Sequence, residues 1–220
     1  CIDVNDTMTG VTNANDTINL LGNHLGLYQI EWNYNANTFK VVLYHQHPFE
    51  DGSGNRFGNR PDGTWGVGFT PRESSFWKYL VYEFVHTFNQ SKGASTGELD
   101  NYFNNGIYPS GWTYDGNIIG LPFFAAHLQA SDAYRISNRV QVHHLGLMAS
   151  TSNWTFKYKS SYVNGTLNGL DGSNYTHWYH LLQTQFTDTK WGQIAASIGY
   201  DFLDNASNRI AGQLTYHLQF

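Results

Sequence analysis

Charge is scarce in this sequence. Only 13% of the 220 residues are Asp, Glu, Lys or Arg, and the balance is a net −5. Aromatic residues make up 16%, and a chain so poor in charge and so rich in rings is not intrinsically disordered. The 12 Lys and Arg residues form no basic stripe, so nucleic acid is not expected as a partner. Cysteine occurs once, at Cys1, which excludes a disulfide framework. Cys1 is read as the point where a longer chain has been cut, rather than as a lipidated terminus. No window offers the roughly 18 consecutive apolar residues of a transmembrane helix. That absence leaves a barrel open, because barrel strands alternate apolar and polar residues. A zincin His-Glu-x-x-His and a phosphate loop are both missing. No catalytic residue, cofactor or metal ligand is therefore assigned. His45 and His47 share a strand face, but paired polar residues near a strand mouth account for them better than a metal does.

What is present favours strands. Strong helix formers are thin, with 2 Met, while 14 Phe, 15 Tyr and 7 Trp suit strands and 22 Gly suit turns. Residues 208–220 alternate without a break: Ile210, Gly212, Leu214, Tyr216, Leu218 and Phe220 against Arg209, Ala211, Gln213, Thr215, His217 and Gln219. Similar alternation predicts strands over 191–202, 176–187, 154–163, 138–150 and 76–89, with shorter ones at 23–34, 38–47 and 64–70. Most approach the roughly 9–11 residues that a tilted membrane-spanning strand needs. The aromatic ending at Phe220 resembles the terminal strand that outer-membrane barrels present to the barrel assembly machinery.

Loop lengths sort by parity. Short turns at 35–37, 71–76, 150–154 and 187–191 alternate with longer connections at 48–63, 90–137 and 165–175. Outer-membrane barrels separate short periplasmic turns from long extracellular loops in this way. Residues 123–129 break the parity if they span, so they are placed within the external excursion. The expectation is a single all-β domain over 1–220, an antiparallel transmembrane β-barrel of outer-membrane type. It has about nine or ten strands, with 48–63 and 90–137 as long extracellular loops. An odd strand count with an unpaired first edge leaves backbone groups unsatisfied in lipid. The chain thus reads as the C-terminal half of a larger barrel.

The loops carry a more specific pattern. His45-Gln-His-Pro-Phe-Glu-Asp-Gly-Ser-Gly54 is followed by Arg56, Asn59, Asp62-Gly63 and Trp65-Gly66. Then come Asp100-Asn-Tyr-Phe-Asn-Asn-Gly-Ile-Tyr108, Ser110-Gly-Trp112, Tyr114, Ile119-Gly120, Asn138-Arg139 and His143-His144-Leu-Gly146. Together they resemble the Wzi-type capsule assembly family of Gram-negative outer membranes, over roughly residues 22–148. The resemblance implies a barrel of about eighteen strands that acts as a lectin rather than an enzyme. It also implies capsular or exopolysaccharide and outer-membrane lipid as partners.

Two regions supply candidate glycan contacts. Residues 48–63 gather Glu50, Asp51, Arg56, Arg60 and Asp62. Such groups hydrogen-bond sugar hydroxyls, and Arg takes a uronic-acid carboxylate bidentately. The same charges can instead pair to brace a Gly-rich loop. Residues 101–124 gather Tyr102, Phe103, Tyr108, Trp112 and Tyr114, of which Tyr102, Trp112 and Tyr114 are taken as glycan contacts. Their faces can stack on sugar rings, or they can form a satellite core that pins a long loop. Two other functions remain open. One is an outer-membrane barrel enzyme acting on glycan or lipid through carboxylates among Glu50, Asp51, Asp62 and Asp100. The other is a passive porin with Lys157, Lys159, Arg209, Gln213 and Gln219 in its lumen.

Overall fold

The computed structural model describes residues 26–50, 52–73, 76–91, 100–104, 111–115, 117–128, 134–167, 173–188, 190, 192–204 and 207–217. The elements run β1 (Gly26–Asn35), β2 (Phe39–Phe49), a single helical turn α1 (Gly52–Asn55), β3 (Gly63–Pro71) and β4 (Trp77–His86). They continue with β5 (Thr113–Tyr114), β6 (Asn117–Ile118), β7 (Ala125–Leu128), β8 (Tyr134–Ser137) and β9 (Arg139–Ser150). The last four are β10 (Trp154–Thr166), β11 (Asn174–Asp188), β12 (Gly192–Leu203) and β13 (Arg209–His217). Nine of them form one antiparallel sheet in the order β1-β2-β3-β4-β9-β10-β11-β12-β13. Every sheet neighbour is also the next long strand along the chain, so the sheet is a pure meander. Among the described residues β1 and β13 are its two edges. The predicted strands match these nine. Residues 218–220, with Leu218 and Phe220, lie outside the described set.

The register shows what the two-residue period achieves. Residues directly opposite one another in an antiparallel pair share a face. One row crosses all nine strands as Tyr34, Val41, Phe69, Leu80, Leu147, Tyr158, Leu182, Ile198 and Gly212. It holds no charge. A row on the other face reads Glu31, Tyr44, Gly66, Glu83, His144, Ser161, Tyr179, Asp201 and Arg209. The sheet thus has an apolar face and a polar face. The apolar face is the exposed one: Ile198 is 49% exposed, Leu182 44% and Trp32 54%. Water-soluble sheets bury such a face, and contiguous apolar surface left bare marks an interaction site.

Three glycines lie directly opposite rings that cover them. Gly66 pairs with Tyr44, Gly165 with Tyr175 and Gly26 with Phe49, and in each pair a Cβ on the glycine would run into the ring. Glycine is normally weak in a strand interior. Here the facing ring fills the missing side chain and pins the register.

The connections sort to two ends. The chain passes from β1 to β2, β3 to β4, β9 to β10 and β11 to β12 at one end of the sheet, and from β2 to β3, β4 to β9, β10 to β11 and β12 to β13 at the other. β7 pairs with β8 and β5 with β6 in small separate sheets, so 123–128, the described part of 123–129, belongs to the long excursion and not to the main sheet. The hydrophobic core sits at the long-loop end. Val85, Val140, Val142, Val163 and Tyr175, all on the polar-face side of their strands by register, pack with Tyr102, Phe124 and Ile136 from the excursion. The described part of the excursion that carries Tyr102, Phe124 and Ile136 therefore packs over the end of the polar face.

Candidate functional site

The long-loop end is built around a buried carboxylate. Asp62 is fully buried just before β3. Its Oδ1 accepts from the Asn89 backbone N–H at 2.9 Å and from His86 Nδ1 at 2.8 Å. Its Oδ2 accepts from the Gln90 N–H at 2.7 Å and the Tyr102 hydroxyl at 2.9 Å. Four donors from β4, the start of the excursion and its interior converge on this one side chain. A buried carboxylate requires such satisfaction. Burial, and next the negative charge of Asp62, push the Tyr102 phenol well above its ordinary range, so it stays a protonated donor.

Amides extend the network. Asn59 Nδ2 donates to the Pro48 carbonyl and to the Tyr102 oxygen, each at 2.8 Å. Asn138 Nδ2 donates to the Tyr102 carbonyl at 2.7 Å and to Asn101 Oδ1 at 2.8 Å, while its Oδ1 accepts from Gln90 Nε2 at 2.9 Å. Arg139 Nε donates to Gln90 Oε1 at 3.0 Å. Asn104 bonds the backbone of Ile136 in both directions, at 2.8 and 2.9 Å, as a strand neighbour would. The Ser91 hydroxyl donates to the buried Asp100.

The predicted glycan residues divide into two groups. Glu50 accepts from the Phe103 backbone N–H at 2.7 Å and so ties loop 50–62 to the excursion. Asp62 and Tyr102 are enclosed, Tyr102 being 1% exposed, and face the loop interior. Asp51 lies outside the described residues. The remaining four reach the surface. Arg56 and Arg60 are exposed, Trp112 is half-buried, and Tyr114 is 77% exposed at the tip of the β5–β6 hairpin. Trp112 anchors that hairpin, its N–H donating to the Phe103 carbonyl and its own carbonyl accepting from the Ile119 N–H, both at 2.8 Å. The Arg60 guanidinium lies over the Phe57 ring, 4.7 Å from its centre. It borders the apolar face rather than the top of the loops.

The histidines are committed elsewhere. His45 stacks on Trp65 at 3.7 Å between ring centres and contacts the Thr64 carbonyl through Nδ1 at 3.2 Å. His47 is buried, with Nε2 at 3.0 Å from the Gly54 carbonyl. Their rings are 6.0 Å apart. Among the described residues no cluster of three or more His, Cys, Asp or Glu is placed to hold a metal. His143 and His144 point to opposite faces, His143 meeting the Tyr82 hydroxyl and His144 the Ser161 hydroxyl, each at 2.7 Å.

Sequence reasoning missed the hub roles of Gln90, Asn138, Asn104 and His86. Asn and Gln in a loop read as solvent-facing, and only their partners many residues away reveal the burial. It also missed a polar-face cluster in which Tyr44 donates to Glu83, beside His144 and Ser161 in the same row. The signal was available, because Glu83 falls on the polar side of an otherwise apolar alternation. Comparison with known protein families, curated proteins and solved structures returned no match to this chain.

Proposed function

We propose that this chain forms part of a bacterial outer-membrane β-barrel that holds capsular or exopolysaccharide at the cell surface without cleaving it. The observation that carries the barrel is the register. One face is apolar and exposed over nine consecutive antiparallel strands of 9–15 residues, and lipid is the solvent that suits it. Strands β1 and β13 run in the same direction, so an all-antiparallel closure requires an odd number of further strands. Nine more, as the Wzi-type resemblance implies, meet that condition. The long-loop end is then the extracellular side.

The polysaccharide reading rests on what that end exposes. Trp112 and Tyr114 stand on a hairpin braced from below, and Arg56 is free to meet acidic or neutral sugars on the same end. Of the carboxylates that a hydrolase would use, the three among the described residues are otherwise engaged: Asp62 is saturated by four donors, Asp100 holds Ser91, and Glu50 holds the Phe103 N–H. One ring stacked on one sugar binds weakly, so retention arises from many repeats of one polymer acting together. In the full-length protein, Trp112→Ala, Tyr114→Ala and Arg56→Ala combined should release capsule into the medium at unchanged barrel levels. Capsule retained as in the parent would refute this assignment of the loops.

A further inference from the structure

The apolar face is not uniform. At the long-loop end of β1–β4 it dips into a groove of about 940 Å³, near the top of the range of roughly 300–1,000 Å³ typical of small-molecule sites. Its floor and walls include Ile30, Trp32, Leu43, Trp65, Val67 and Phe84. Loop 50–62 closes its upper edge with Phe57, Arg60 and Pro61. Arg60 is the one charged side chain in this lining, and the lining has no carboxylate. A second groove on the same face, at the short-turn end, is lined by Phe69, Pro71, Trp77, Tyr79, Leu80 and Leu147 and has no cation. The charge is therefore particular to the upper groove.

The loop is shaped to put it there. Phe57 has φ 65°, a left-handed conformation that a bulky residue rarely adopts. In that conformation its ring packs at 4.6 Å from His47 and 5.6 Å from Tyr28 while supporting the Arg60 guanidinium. Arg60 lies three residues before β3, where the spanning part of the sheet ends. In the barrel reading that level is the head-group region of the adjacent leaflet. A guanidinium forks bidentately onto a phosphate, and its stem lies along apolar surface.

We infer that this groove is a lipid site, in which an acyl chain lies along β1–β4 and the lipid's phosphate pairs with Arg60. The site rests on the barrel reading above but is separate from the glycan surface. The test uses the full-length protein extracted from membranes in neutral detergent, with bound lipid counted by native mass spectrometry. Phosphatidic acid and diacylglycerol with the same acyl chains are the probes. One phosphatidic acid should be retained about tenfold more readily than diacylglycerol, the worth of a single charge-assisted contact. Excess inorganic phosphate should not displace it. Arg60→Gln should reduce phosphatidic acid to the diacylglycerol level. Arg56→Gln, outside the lining, should not. Val67→Trp, which fills the groove, should remove the retained lipid while the protein keeps its heat-modifiable migration. Equal losses in Arg56→Gln and Arg60→Gln, or retention in Val67→Trp, would overturn the site while leaving the barrel standing. Recovery of the protein from the aqueous fraction without detergent would overturn both.

Discussion

Tyr102 donates its hydroxyl hydrogen to Asp62 at 2.9 Å, and both side chains are buried. The two residues belong to different loops, so this bond joins the entry to β3 with the middle of the long excursion. Removing the carboxylate leaves four donors without an acceptor, which costs on the order of 3–5 kcal/mol. Asp62→Ala should open the excursion to protease while the strands stay protected. Tyr102→Phe removes the bond to Asp62 and the acceptor of Asn59 Nδ2, and should cost about 2–4 kcal/mol. Equal protease resistance in parent and Asp62→Ala would show that the loops are held by something else.

The same pair sets an alkaline limit. The folded Tyr102 phenol is raised above the ordinary value of 10.0, by burial first and then by Asp62. A raised acid of this kind contributes its full stability below the unfolded value and loses it as pH climbs above about 10. The parent should therefore lose loop stability above that pH faster than Tyr102→Phe does. Parallel pH profiles for the two proteins would contradict the linkage.

Gly66 and Tyr44 give a second mechanical test. The Tyr44 ring lies over Gly66 and its hydroxyl bonds Glu83. Gly66→Ala would displace the ring and break that bond, costing about 1–3 kcal/mol as an overpacked site does. Tyr44→Leu combined with Gly66→Ala should recover part of the loss, since the clash is then relieved. Thermal unfolding of the single and double variants measures the coupling, and strictly additive effects would argue against the contact.

Open edges predict incomplete assembly. Among the described residues β1 and β13 have no outer partner, and unpaired strand edges are not tolerated in lipid. The 220-residue chain alone should not yield a compact, heat-modifiable band on a gel. Such a band from this chain alone would mean that it closes by another route.

Much of the sheet was legible because its face is set by a two-residue period. Residues 191–202 read as a strand because Ile194, Ala196, Ile198, Tyr200 and Phe202 fall on one face, and β12 spans Gly192–Leu203. The parity of loop lengths put residues 123–129 in the excursion because a meander leaves it no other place. The loop interior was legible only in outline. Charges bracing loop 48–63 and rings pinning 101–124 as a satellite core were one of two readings, and nothing local in the sequence singles out Asp62 and Tyr102 for it. Their burial depends on partners at His86, Asn89 and Gln90 that no local pattern links to them. Arg60 and Arg56 likewise look equivalent, and only the folded loop, with Arg60 over the Phe57 ring, shows Arg60 at the edge of the apolar face.

The claim on which the rest depends is that the apolar face meets lipid and the polar face does not. Ile198 and Ser197 are neighbours in mid-β12 on opposite faces, Ile198 facing Leu182 and Gly212 and Ser197 facing Gln183 and Gln213. A charge on the lipid side near the bilayer midplane costs about 2–4 kcal/mol, and one on the other side costs little. Surface levels of the full-length protein carrying Ile198→Arg or Ser197→Arg measure the difference directly. The account predicts that Ile198→Arg is lost from the outer membrane and Ser197→Arg remains; equal levels of the two, or the reverse order, would contradict it.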